Sequence, residues 1–140
     1  EVYQAMQTGV VDGSENTPSN MYTQKHNEVQ KFITVSDHGY IGYAVIVNKK
    51  FWDGLPADIR GQLEKAMDEA TAYSNGISQK ENDDALAAMK AANTSTFIEL
   101  TDAEKQAWVK ALEPVYKEME SRVGKDLLEQ ILKEAKGSGA

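Results

Sequence analysis

Val10-Val11-Asp12-Gly13-Ser14-Glu15-Asn16-Thr17-Pro18 is the stretch on which the reading of this chain turns. A β-branched pair leads in, Asp12-Gly13 is turn chemistry, and Thr17-Pro18 reads as a helix start, with Thr17 as cap and Pro18 at the first helical position. The stretch therefore joins two regular elements. It leaves Ser14, Glu15 and Asn16 just ahead of a helix N-terminus, where polar side chains are held at an element boundary and a small ligand can be gripped. A well-capped turn with no further role is satisfied by the same residues.

Upstream, Val2, Ala5 and Met6 lie at helical spacing and the pattern stops at Gly9. Downstream, Met21, Tyr22, Lys25 and Val29 share one side of a short helix predicted to end near Gln30. Phe32-Ile33-Thr34-Val35 reads as a strand. The polar junction Ser36-Asp37-His38-Gly39-Tyr40 follows, and Ile41 to Val47 then runs apolar without alternation, which predicts a second strand buried on both faces. Asn48-Lys49-Lys50 returns to polarity, and the bulky pair Phe51-Trp52 precedes Pro56.

From about Pro56 to Ala92 the spacing predicts one long helix, far above the mean of about 11 to 12 residues. Ile59, Leu63, Ala66, Met67, Ala70, Tyr73 and Ile77 form its first apolar stripe. The stripe is lost between Ser78 and Asp84 and resumes with Leu86 and Met89. A rod with two contact surfaces bridging two lobes fits this pattern, and so do two helices broken near Gly76. Thr96 to Leu100 is a strand candidate, and Thr101 with Glu104 forms a capping box. Trp108, Val109, Leu112, Val115, Tyr116, Met119 and Val123 continue a helix expected to kink at Pro114. After Gly124 comes a last helix with Leu127, Leu128, Ile131 and Leu132, and then a flexible tail, 137–140. The fold class is α/β: helix-rich, with a few strands and the long helix over about 56–92.

The chain has 140 residues, enough for one domain with its own core, and a formal charge of −7. That charge argues against a nucleic-acid or anionic-membrane partner, which calls for a basic face. Cysteine is absent, so disulfides, thiolate metal sites and a cysteine nucleophile are excluded. The longest strongly apolar run, Tyr43 to Val47, falls far short of the roughly 20 residues that span a bilayer. The chain begins at Glu1 inside a helical pattern, without methionine or leader, and a truncated or processed start is expected.

Enzyme constellations are scarce. There is no GxGxxG or phosphate-binding glycine loop, and Asp12-Gly13-Ser14-Glu15 lacks the glycine pattern of a nucleophile elbow. The two histidines, His26 and His38, fall on different predicted elements, so a helical metal pair is excluded. His26 reads as a helix-surface residue, and Trp52 and Trp108 as core anchors. Asp12 and Glu15 read as a turn former and a hydrogen-bonding side chain, although paired carboxylates also suit acid-base work. His38 sits at a strand junction, where side chains project into crevices. Tyr40 beside it reads as a partly buried ring whose hydroxyl finds a backbone partner.

Residues Glu1 to Asn16, His38-Gly39-Tyr40-Ile41-Gly42-Tyr43 and Val47-Asn48-Lys49-Lys50-Phe51-Trp52 carry a resemblance. In order and spacing, from residue 1 to about 135, the chain resembles the C-terminal part of the extracytoplasmic solute-binding proteins of tripartite ATP-independent periplasmic (TRAP) transporters. The C4-dicarboxylate-binding type is the nearest in flavour. The resemblance implies a two-lobed periplasmic receptor that closes around a small organic acid and delivers it to a membrane permease, with no cofactor. Residues 1–136 are then parts of the second lobe, hinge strands, the lobe-spanning helix and the C-terminal helices, and the missing N-terminal portion of the receptor is a partner.

The same resemblance assigns residues. The asparagine of the family's Asp-Gly-x-Glu-Asn motif contacts the ligand, and that position is Asn16. Glu15 matches the neighbouring position, His38 matches a histidine of the polar network at the ligand site, and Tyr40 suits a hydroxyl contact with a carboxylate. Two departures stand out. Proline follows asparagine directly in the usual pattern, whereas Thr17 intervenes here. The family also fixes the substrate carboxylate with an arginine, and Arg60 and Arg122 are on predicted helices outside matching positions, so that arginine is expected upstream of Glu1. Hinge closure is expected to involve strands such as Ile41 to Val47. Two other function classes stay open on the residues alone: a helical interaction module assembling, or self-associating, through the 56–92 rod, and a carboxylate-based hydrolase using Glu15.

Overall fold

A computed structural model describes residues 1–137. Its elements are α1 (Val2–Gln7), α2 (Pro18–Thr23), a 3-10 turn (His26–Glu28), β1 (Phe32–Val35), α3 (Lys49–Asp53), α4 (Ala57–Ala92), β2 (Thr96–Glu99), α5 (Asp102–Val123) and α6 (Lys125–Gly137). The chain divides into two units, Glu1–Ile98 and the residues from Glu99 onward.

In the first unit, α1 closes as the glycine predicts. Gly9 takes φ +73°, a left-handed conformation that glycine adopts without steric cost, and Val10 N–H reaches back to Ala5 O at 2.8 Å. Pro18 opens α2 with Thr17 as N-cap in extended conformation, but the Thr17 side chain makes no capping bond. The orphan N–H of Ser19 is satisfied from α4, by Asn82 Oδ1 at 3.0 Å. Asn82 in turn donates Nδ2 to Ser78 O at 2.9 Å. The polar interruption in the α4 stripe is thus the point at which α2 is pinned to the long helix.

Two expectations for this region are corrected. The helix after Pro18 ends at Thr23 rather than near Gln30, because Lys25 adopts φ 59°, and a left-handed residue breaks the α-helical ladder. The same reversal carries His26 inward. It is 3% exposed and lies with Asn27 among the buried residues instead of on a helix surface. Asn27 is held by hydrogen bonds: its Nδ2 donates to Thr94 Oγ1 at 3.3 Å, and Ser95 Oγ lies 2.8 Å from both Asn27 O and Gln30 O. Thr96 N–H continues the latch to Lys31 O at 2.8 Å, where β1 pairs with β2 in a two-stranded sheet.

The second predicted strand is not formed. Residues 40–47 are irregular and exposed throughout, with Ile46 89% accessible. A strand apolar on both faces needs neighbours along its edges to satisfy its backbone, and among the described residues the β1–β2 pair supplies none. Sequence reading also missed α3. Asn48 Oδ1 accepts Phe51 N–H at 3.1 Å, an N-cap that turns the polar end of the supposed strand into a helix start.

Helix α4 is continuous through Gly76, which decides for one rod over two helices. Its far end packs on α2 and buries Ala85 and Met89, and with Met6 and Ile33 these are the buried apolar residues among those described. Ile59, Leu63 and Met67 on its first half are exposed. The chain exposes 11400 Å², whereas two separate compact bodies of these lengths would expose about 8,600 Å² in all. Much apolar surface is therefore left bare within this chain, including Trp108, which is exposed rather than a core anchor; Trp52 is half-buried.

The second unit begins with the capping box as expected. Glu104 N–H donates to Thr101 Oγ1 at 3.3 Å, and the Glu104 carboxylate accepts Thr101 N–H at 2.8 Å. Helix α5 runs unbroken past Pro114. Gly124, at φ 95°, separates it from α6. The helix α6 extends to Gly137, so only residues 138–140 of the expected tail lie outside the described residues.

The Thr101 side-chain and backbone bonds hold the Glu104 carboxyl below its ordinary range. A carboxyl whose pKa is lower folded than unfolded stabilises above its unfolded value, and the contribution is lost as pH falls through the folded one. Amide protection at residues 101–105, taken relative to the intrinsic exchange rate at each pH, should therefore be greater at neutral pH and fall as pH drops through the carboxylate range. Glu104→Gln should remove that pH dependence of protection. The same fall in protection in the Gln variant would show that another group drives it.

Candidate functional site

The turn after α1 is built to hold its polar residues still. Ser14 Oγ lies 3.4 Å from Met6 Sδ, folding the turn back onto the one buried residue of α1. Asn16 then meets two donors with the same atom: Oδ1 accepts Thr17 N–H at 2.9 Å and Asn20 Nδ2 at 2.9 Å. An amide has one acceptor end and one donor end. With Oδ1 occupied twice, Nδ2 is the end left to face outward, and it makes no hydrogen bond among the described residues. What the turn offers to solvent is a fixed N–H donor pair, suited to an anionic oxygen.

Asn20 also donates Nδ2 to Tyr43 Oη at 3.1 Å. The ring of Tyr43 is 83% accessible, so its hydroxyl is the anchored end, and it ties the irregular segment 40–47 to the turn. Neither Asn20 nor Tyr43 was singled out from sequence. Asn20 gave little signal, because Asn16 lies ahead of the N-cap Thr17 and outside the helix, where the four-residue spacing of a helix face does not apply. Tyr43 carried none, because its partner is 23 residues away.

The other expected site residues are placed as follows. Glu15 is exposed beside Asn16 in the turn. His38 is exposed, and its Nδ1 lies 2.7 Å from Ser36 Oγ, a bond that fixes the ring against its own loop. Tyr40 stands 95% accessible, its ring edge 3.2 Å from where a Cβ on Gly42 would sit. The structure thus brings Asn16, Asn20 and Tyr43 together and holds His38 against Ser36, while Tyr40 is exposed rather than the partly buried ring expected. Arg60 lies on α4 and Arg122 in the last turn of α5.

No group of three or more His, Cys, Asp or Glu side chains among the described residues is arranged to hold a metal ion. No described helix is long and apolar enough to cross a membrane. Among the described residues, shallow hollows open to solvent around Lys31 and Thr94 and between Tyr22 and Ala85. Asn16, Glu15, His38 and Tyr40 line neither of these and are themselves exposed, so the turn is an open surface.

Comparison with known proteins places the chain in a family. Residues 1–122 match the DctP family, bacterial extracellular solute-binding protein, family 7. The C4-dicarboxylate-binding periplasmic protein DctP of Rhodobacter capsulatus is 63% identical over 131 residues, which are 94% of this chain and 39% of that protein. A TRAP periplasmic solute-binding protein from Shewanella oneidensis, solved with bound succinate, is 40% identical with TM-score 0.89, over 92% of this chain and 42% of that one. One from Pseudomonas aeruginosa PAO1, solved with bound L-malate, is 37% identical with TM-score 0.79, over 84% of this chain and 41% of that one.

The helix-rich α/β architecture is that of part of the TRAP periplasmic binding fold. The chain belongs to family 7 of the bacterial extracellular solute-binding proteins, the DctP family. It spans about 39% of the length of the Rhodobacter capsulatus relative. The Rhodobacter capsulatus relative is described as a C4-dicarboxylate-binding protein.

Proposed function

We propose that this chain forms one wall of the ligand cleft in the periplasmic receptor of a TRAP transporter, binding a small organic acid of the C4-dicarboxylate class for delivery to the membrane permease. The observation that carries the reading is the doubly occupied Oδ1 of Asn16, which turns the donor end of the amide toward the cleft, where a carboxylate oxygen accepts it. Glu15 and His38 orient neighbouring groups and water, and Tyr40 offers its hydroxyl to the ligand on closure. Binding makes and breaks no bond and needs no cofactor. Relatives crystallised with succinate and L-malate support the ligand class.

Arg60 lies on α4 and Arg122 in the last turn of α5, outside the positions the family resemblance assigns, so on this reading the cation that pairs with the acid is supplied by polypeptide outside these residues. The same polypeptide covers the bare segment 40–47, the exposed half of α4 and the apolar faces of α5 and α6. Residues 1–136 are, on this reading, parts of the second lobe, the hinge and the lobe-spanning rod.

In the complete receptor, Asn16→Ala should weaken succinate binding by about 1.5 to 3 kcal/mol, the range for a hydrogen bond to a charged group. Titration calorimetry on the pair of proteins reads this directly. Unchanged affinity removes Asn16 from the site.

A further inference from the structure

An asparagine amide can present either end, and the partners of its oxygen and nitrogen decide which. At Asn16 both partners of Oδ1 are donors, but they differ in kind. Thr17 N–H is backbone and is present whatever the side chains are. The other donor is Asn20 Nδ2, the one element of the arrangement that the sequence can change without touching Asn16 or the turn. Asn20 is half-buried on the first turn of α2, next to Ser19, whose N–H is pinned to Asn82 on α4. Its Cα is therefore placed by the long helix, and its amide spans two contacts, Asn16 Oδ1 at 2.9 Å and Tyr43 Oη at 3.1 Å.

We propose that Asn20 is a positioning residue for ligand binding: by donating to Asn16 Oδ1 it keeps the Asn16 amide nitrogen turned toward the ligand carboxylate, and by donating to Tyr43 it ties the 40–47 segment to the same turn. The inference rests on Asn16 being the ligand donor. It has a directional consequence that a merely structural role lacks. Replacing the donor by an acceptor, as in Asn20→Asp, attracts Asn16 Nδ2 and turns Oδ1 outward, where it meets the ligand carboxylate oxygen to oxygen. Asn20→Ala only removes the constraint and lets both orientations coexist.

The test is a double-mutant cycle in the complete receptor, with succinate as probe, calorimetry for Kd and thermal unfolding as a check on folding. Asn20→Ala should weaken binding about three- to tenfold, and Asn20→Asp at least as much as Asn16→Ala, roughly 10- to 150-fold. In the Asn16→Ala background both substitutions at 20 should cost no more than about threefold, because the amide they act through is gone. Equal losses with and without Asn16 would mean that a carboxylate at 20 simply repels the anion, and would overturn the proposal. So would an unchanged Kd in Asn20→Ala and Asn20→Asp alongside a weakened Asn16→Ala. If Asn16→Ala itself leaves Kd unchanged, it is the assignment of Asn16 that fails. Should Asn20→Asp not fold, Asn20→Ala alone still decides, through its coupling to Asn16.

Discussion

Met89→Ala should destabilise the first unit by about 2 to 5 kcal/mol, the range for truncating a buried methionine. Met89 has no exposed surface, and the other buried apolar residues among those described are few: Met6, Ile33 and Ala85. In a large core, neighbours relax into a cavity and share its cost. Here the polar latch stands close by in sequence and resists such collapse, since Thr94 and Ser95 hold the 26–30 turn by hydrogen bonds. A unit with so few buried side chains has little stability in reserve, so the loss should be visible as a fall in the urea midpoint of the complete receptor with the slope unchanged. Because α2 packs on this end of α4 and is pinned there through Asn82 and Ser19, succinate affinity should fall with it. A loss of under about 1 kcal/mol would mean that the core lies elsewhere.

What could be read from the residues followed how local the cause was. The rod was legible because α4 repeats its spacing over 36 residues, long enough for the helical period to outweigh one glycine. The capping box was legible because its two partners are three residues apart. The strand at 41–47 was read from its apolar content, which records what the segment packs against, and the strands it would pair with are not among the described residues. His26 was misplaced for a different reason: one left-handed residue, Lys25, changes which way the next side chain points, and lysine gives no warning of it. Asn16 was found through a motif, but the geometry that gives it a direction depends on Asn20 and Tyr43. That contact arises only once α2 is seated on α4. The gap between Leu63–Ile77 and Leu86–Met89 looked like a loss of pattern, and it is the site of the Asn82 bond.

The largest effect expected on ligand binding comes from taking these 140 residues alone: they should bind succinate or L-malate at least about 100-fold more weakly than the complete receptor. The wall described here offers neutral donors, the Asn16 amide and nearby hydroxyls, set in a chain of net charge −7. A dicarboxylate brings two negative charges, and taking it out of water against such a wall is favourable only when a cation and a closed cleft compensate. The turn is open to solvent, with Asn16 and Glu15 exposed, so each hydrogen bond to the acid competes with water at full strength. Closing a second lobe over the same atoms excludes that water and raises the worth of every one of them. Calorimetry of the chain beside the complete receptor, in the same buffer and at the same ionic strength, separates the two situations. Comparable affinity would mean that the cation and the second wall contribute nothing, and the acid would have to be held by Asn16, Tyr43 and their neighbours alone.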